Sequence, residues 1–244
     1  GNVAFARNKV VFSDEQPAAE SYQLATGRPI GAGLYYNALG VFKNMEEVNN
    51  YPHFINAQPG DLKYEDINGD GVLDSRDQTR INQTATPEIT FGFNANFRYK
   101  SFDLAVLLQG QENAKSYFGG YFPVMSYSLG NFLDWRAQDR WTPENTDASM
   151  PRASYELFNN NTTNSTQWLL NAGFLKLRNV ELGYTLPQRI SEKIKVKSAR
   201  VSVSGSNLLI IYDHMKDLGF DPETTDYWYY PPQRVLNFGI SVTF

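Results

Sequence analysis

The stretch EITFGFNANFRY, residues 88–99, alternates without a break. Ile89, Phe91, Phe93, Ala95, Phe97 and Tyr99 are apolar, and Thr90, Gly92, Asn94, Asn96 and Arg98 lie between them. A period of two is a strand with one apolar and one polar face, since a helix would scatter the same residues around its circumference. After Lys100 and Ser101 the apolar positions move to even numbers, Phe102, Leu104, Val106 and Leu108. A two-residue hairpin turn requires that change of parity, because it sets Tyr99 opposite Phe102 on one face. Lys-Ser is not favoured turn chemistry, so the parity carries the assignment.

Three later segments follow the same rule: Val180, Leu182, Tyr184 and Leu186; Ala199, Val201 and Val203; and Leu236, Phe238, Ile240, Val242 and Phe244. With a weaker candidate at the start, six strands are expected in one sheet, over 1–12, 88–99, 102–112, 173–186, 199–211 and 234–244. The connections are lopsided, and the last of them, 213–232, is moderate. The links over 13–87 and about 113–171 are long, whereas 100–101 is minimal and 187–197 moderate. In an up-and-down sheet the first, third and fifth links share one end, and the second, the fourth and the C-terminus share the other. Long loops at one rim and short turns at the other is the asymmetry of an outer-membrane barrel, and Tyr99, Phe102, Tyr184 and Phe244 fall at the short-turn end, where an aromatic girdle lies. A soluble β-sandwich whose apolar faces meet explains the alternation equally well.

Composition narrows the function classes. A formal net charge of −4 argues against a nucleic-acid partner, and no basic run supplies a patch for phosphates or anionic lipid. The absence of cysteine removes disulfides, thiolate metal sites and thiol nucleophiles together. No apolar run approaches the roughly 20 residues of a membrane-crossing helix, which leaves a barrel open. The sequence opens at Gly1 without a signal-like segment and reads as a piece of a longer polypeptide.

Within the first long link, DINGDGVLDSRD has the spacing of a calcium loop. Its candidate ligands are Asp66, Asn68, Asp70, the Val72 carbonyl, Asp74 and Asp77, with Gly71 making the sharp turn. Asp77 is shorter than the bidentate glutamate that usually closes such a loop, and no amphipathic helix precedes it, so bracing is expected rather than a sensor's switch. An Asx-rich turn without metal is the alternative. Tyr227, Trp228, Tyr229 and Tyr230 form an aromatic run suited to packing, to a girdle or to a sugar ring, and residues 116–128 hold a second cluster. His53 and His214 stand alone, and no catalytic constellation is evident. Leu236, Phe238, Ile240, Val242 and Phe244 look like the terminal signal read by the barrel assembly machinery; an ordinary amphipathic strand is the plainer reading.

Several of these stretches together resemble one family. TGRPIG (26–31), QPGDLKYEDINGDGVLDSRDQT (58–79), PEITFGFNANFRYKSFDLAVLLQG (87–110), FLKLRNVELGYTLP (174–187), SVSGSNLL (202–209) and the terminal ISVTF are similar, in order, to the C-terminal part of SusC/RagA TonB-linked transporters of Bacteroidetes. Ser101 departs from the glycine expected in the first turn, and most of 111–171 lies outside the resemblance. It implies an all-β fold, the last six strands of a 22-stranded outer-membrane barrel in a Gram-negative bacterium. It also implies a plug and TonB box outside this sequence, coupling to TonB, contact with outer-membrane lipid, and a SusD-like lipoprotein partner. The expected function is import of oligosaccharides or peptides, with no enzymatic step and at most calcium as a cofactor. A siderophore or vitamin receptor, a passive structural or adhesive barrel, and a soluble calcium-binding β module of a secreted glycan-active protein are the alternatives.

Overall fold

The structure, a computed structural model, describes residues 1–15, 20–118, 134–154, 160–219, 221–224 and 230–244. It is all-β, with three short helices at Met45–Asn49, Asp134–Gln138 and Gln188–Lys193 among the described residues. Six strands form one sheet: β1 (Asn2–Phe5), β2 (Ile89–Tyr99), β3 (Phe102–Glu112), β4 (Phe174–Thr185), β5 (Ser198–Asp213) and β6 (Val235–Thr243). Each pairs antiparallel with the one before it, so spatial order repeats chain order and the sheet is open.

The register lines residues up in rows across the strands. One row runs Tyr99, Phe102, Tyr184, Val201, Ile240 and the next Phe97, Leu104, Leu182, Val203, Phe238. The rows between them carry the other face: Arg98, Asp103, Gly183, Ser202, Gly239, then Asn96, Ala105, Glu181, Ser204, Asn237. Alternation in five separate segments is thus summed into one apolar and one polar surface, which a slip of a single residue in any pair would destroy.

The strand expected over 1–12 is a correction. It ends at Phe5; Ala6 still donates to the Glu88 carbonyl, and Val10 then pairs with Gly27 and Arg28. Arg7, Asn8 and Lys9 interrupt the alternation and Val10, Val11 and Phe12 run on without it, so that stretch has no face to offer the sheet.

β4 contains an irregularity that preserves the two faces. Leu177 pairs with Leu108 and Asn179 with Leu107, leaving Arg178 as an extra, bulged residue. The bulge reverses parity within the strand, so Leu175 and Leu177 share a face with Val180 and Leu182. Opposite it, β5 also shifts register, and Asn207 there adopts φ 52°, a left-handed conformation asparagine tolerates better than most residues. Arg178 fixes the place by bonding Gln109 Oε1 at 3.0 Å and Asn207 Oδ1 at 2.8 Å.

A second compact unit gathers residues 7–86 and 115–171. Its core packs Tyr36, Val41, Leu62, Tyr64, Leu73 and Trp168, with Phe54 edge-on to Tyr36 and Tyr64. A polar hub ties the two chain segments together. Asp61, buried, accepts from Arg152 Nε at 2.7 Å, Asn161 Nδ2 at 2.9 Å and its own neighbour Gln58 N–H at 3.0 Å. Asn161, also buried, returns a bond by accepting from Leu62 N–H at 2.7 Å, and its carbonyl takes Trp168 Nε1–H at 2.9 Å. Gly60 adopts φ 85° beneath Trp141, whose ring lies 2.5 Å from where a Cβ would stand, so glycine is required there twice over.

A buried charge stripped of its partner is costly, so Asp61→Ala, which leaves Arg152 without its carboxylate, is expected to destabilise this unit by about 3 kcal/mol. Hydrogen exchange should quicken at 36–64 and 160–171 while β3 to β5 keep their protection. Uniform exchange rates in the variant and the parent would refute the hub.

Candidate functional site: a two-faced sheet and its braced loops

The apolar face is uncovered. Phe238 is 84% exposed, Ile240 77% and Phe97 61%, and Phe5, Phe93, Leu182, Val201 and Leu236 are exposed with them. A water-soluble monomer rarely shows a contiguous apolar patch beyond a few hundred Å². The sandwich expectation needs this face buried against a second apolar sheet, and its side chains are instead open. The five residues singled out near the C-terminus, Leu236, Phe238, Ile240, Val242 and Phe244, all belong to this exposed set.

The opposite face is polar and internally paired. Arg200 Nη2 donates to Glu181 at 2.6 Å and its Nε to Asp103 at 3.2 Å, spanning three strands. Gly183 makes that reach available: a Cβ there would stand 2.2 Å from the guanidinium, so the glycine of VELGYTL is the floor on which Arg200 lies. Further along, Asn94, Asn96, Asn179, Ser204 and Ser206 line an open groove of about 350 Å³. At the long-loop end Lys176 is 2% exposed and bonds Asp221 at 2.6 Å and Glu223 at 2.9 Å. Arg178 meets the same Glu223. Burial alone would push the Glu223 carboxyl up, but the hydrogen bonds from Arg178 and Lys176 outweigh it, and the net shift is downward. This latch fastens the link between β5 and β6 to β4, with Met215 and Pro222 buried beside it. His214 lies 3.6 Å from Glu112, a contact its isolation in sequence did not suggest.

In the loop 66–77 the spacing is realised as a set of local braces. Asp66 accepts from Gly69 and Gly71 N–H at 2.8 and 2.9 Å, Asn68 from Asp70 N–H at 3.0 Å, and Asp70 from Val72 N–H at 2.9 Å. Asp77, fully buried, takes Ile67 N–H at 3.0 Å and Asp74 N–H at 2.8 Å, closing a capping box over the 3-10 turn Ser75–Asp77. Arg76, which the motif ignores, bonds Asp70 at 2.6 Å and Asp74 at 2.8 Å. Its side chain and backbone N–H hold the Asp74 carboxyl below the ordinary aspartate range. Among the described residues no three His, Asp or Glu groups gather as a metal-holding cluster. Tyr22 Oη and Gln23 Nε2 then stitch the loop to the 20–34 segment through the carbonyls of Arg76 and Ser75, each at 2.7 Å. Glu15 braces TGRPIG in the same manner. Its carboxyl is lowered by the Thr26 hydroxyl and by the N–H groups of Ala25 and Thr26.

Tyr230 is 93% exposed. Tyr227, Trp228 and Tyr229 lie outside the described residues, as does most of the 116–128 cluster. Tyr117 is described there: its ring stands 5.4 Å from Tyr35, and burial raises its hydroxyl to about 12.

Fold and face together define a class: a stretch of the wall of a large antiparallel barrel, carrying elaborate loops at one end. No family model matches the chain. It is 26% identical to TonB-dependent receptor P3 of Formosa agariphila and 28% identical to TonB-dependent receptor P26 of the same organism, over 96% and 95% of its length. It is 26% identical over 78% of its length to the TonB-dependent receptor SusC of Bacteroides thetaiotaomicron. The chain spans 24% of the first two and 18% of the third, about a quarter of the curated relatives or less. Solved structures of the RagAB peptide transporter share the fold, at a TM-score of 0.65 and 23% identity over 87% of this chain and 23% of theirs. The importer's open-open state matches at a TM-score of 0.63. The SusC/RagA resemblance drawn from the sequence is thus borne out: the chain is similar over most of its length to TonB-dependent receptors, and its fold is shared with the RagAB transporter.

Carboxylates held low stabilise the folded state above the ordinary carboxylate range and lose that contribution as pH falls through it. Glu15, Asp74 and Asp139 in the loop unit are all lowered by hydrogen bonds. Acidification from pH 7 to about 3 should therefore open the 13–34 and 66–80 segments to protease before β2 to β5 lose exchange protection. Simultaneous loss of both would count against local bracing.

Proposed function

We propose that this chain supplies wall, rim and loop contacts to an outer-membrane nutrient importer, and that it carries no reaction chemistry of its own. The observation supporting this is the continuous apolar face on strands whose other face is amide, hydroxyl and charge. Lipid covers the first and an aqueous lumen wets the second. The eleven residues of β2 span about 25 Å of membrane at a tilt near 45°, which matches an outer-membrane apolar band. The links over 6–88, 113–173 and 214–234 all leave the same end of the meander, and on this reading they are extracellular.

In such an importer a SusD-like lipoprotein would close over the long loops, and movement driven through TonB would act on a plug encoded elsewhere. The substrate is an oligosaccharide or a peptide; the RagAB protein whose fold the chain shares is a peptide importer. Calcium is a proposal for the 66–77 loop. To bind there it would have to take Asp70 and Asp74 from Arg76, so its role is bracing rather than signalling.

The parent protein is expected in the outer-membrane fraction, migrating differently on a gel before and after heating and co-purifying with its lipoprotein. A soluble monomer without detergent would contradict the barrel. For the metal, Arg76→Gln should tighten calcium binding severalfold by removing the competing cation, and calcium should slow proteolysis within 62–80. Equal cleavage in calcium and in chelator, for both proteins, would contradict the site.

A further inference from the structure

We propose that the short-turn end of this sheet is a docking surface for anionic phospholipid headgroups. The inference rests on the barrel reading. Residues 186–197, which join β4 to β5, carry Arg189, Lys193, Lys195 and Lys197 against one carboxylate, Glu192, in a chain whose formal net charge is −4. Lys100 lies beside them, because the turn it belongs to is bonded to theirs through Thr185 N–H and the Ser101 carbonyl. All five cations are exposed, and the ion pairs of the described residues at this end belong to Arg200 instead. Glu192 is engaged by Gln188 at 2.9 Å. Five cations against one carboxylate leave this end net positive, a patch that no continuous basic run announces in the sequence, in contrast to the paired charges of the strands above.

The backbone points the same way. Lys100 and Lys195 adopt φ 53° and 61°, a region where glycine or asparagine would sit with less strain. Both turns nevertheless present a lysine.

Apolar groups accompany the cations. Ile190, in the Gln188–Lys193 helix, and Ile194, which caps its C-terminal end, are 46% and 54% exposed, while Ser191 is buried. Tyr99 and Phe244 are exposed at the same end, and the rings of Phe102 and Tyr184 meet at a tilt, their centroids 4.7 Å apart, between them. These continue the lipid-facing surface to its border. Aromatic and isoleucine side chains at the acyl boundary, with long basic side chains reaching beyond it, form the pattern that holds a surface to phosphate headgroups. A phosphate-bearing lipid satisfies both halves of it, which a free anion would not.

The test uses the complete parent barrel, reconstituted in vesicles of equal phosphatidylglycerol and phosphatidylcholine, with the retained lipids counted by native mass spectrometry. The wild type should retain phosphatidylglycerol over phosphatidylcholine by at least about fivefold. The quadruple variant Arg189→Gln, Lys193→Gln, Lys195→Gln, Lys197→Gln should bring the ratio to near one while keeping heat-modifiable migration. Should it fail to insert, Lys193→Gln and Lys197→Gln made singly, and 0.5 M salt on the wild type, are each expected to lower the ratio. An inserted wild type with no preference, or variants that keep it, would overturn the proposal. A wild type that shows no heat-modifiable migration would overturn the barrel reading beneath it.

Discussion

In hydrocarbon a backbone N–H or C=O has no water to bond with, so every such group on a membrane-spanning strand must find a partner on its neighbour. On the proposed barrel reading, that constraint governs this sheet. It demands unbroken ladders, and alternation then assigns every second side chain to lipid and the rest to the interior. The four-residue β1 and the outer edge of β6 leave unpaired backbone at both borders of the sheet. Exposed edges of this kind are stable when further strands continue the ladder, and a closed barrel is the arrangement that removes them altogether.

Where the ladder deviates, the deviation serves the faces. The Arg178 bulge inserts one residue and so keeps four leucine and valine positions of β4 on one side. Arg178 also collects Gln109, Asn207 and Glu223 around the bulge, converting a gap in the ladder into a polar junction at the level of the long loops. Gly183 plays the complementary part lower down by letting Arg200 bridge three strands. Charged groups on this face are thus either paired within the wall or, at the short-turn end, left free at its margin.

Much of this was legible in the alternation. The parity change across Lys100 and Ser101 locates the β2–β3 pairing, the even-numbered sets locate β4 and β6, and the odd-numbered Ala199, Val201 and Val203 locate β5. The bulge was also written there, since Leu175 and Leu177 are odd and Val180 and Leu182 even, but a reading of each segment alone passes over a mid-strand change. The loop unit was not legible. Its hub joins Asp61 to Arg152 and Asn161 across 91 and 100 residues, and no local period encodes a contact at that separation. The 66–77 motif was read by its acidic positions, while Arg76, which pairs with Asp70 and Asp74, fell at a place the motif leaves unspecified. The first strand is shorter than its apolar content suggests, because Val10, Val11 and Phe12 are apolar without alternation.

The central claim is that one face of the sheet meets lipid and the other water. The chain has no cysteine, so single cysteines along β2 of the reconstituted parent barrel can each carry a spin label without background. The account predicts period-two accessibility: labels at positions 91, 93, 95 and 97 relaxed by oxygen dissolved in the lipid, and labels at 92, 94, 96 and 98 relaxed by a water-soluble nickel chelate. Uniform accessibility to the chelate along the strand, or protection of both sets, would contradict it.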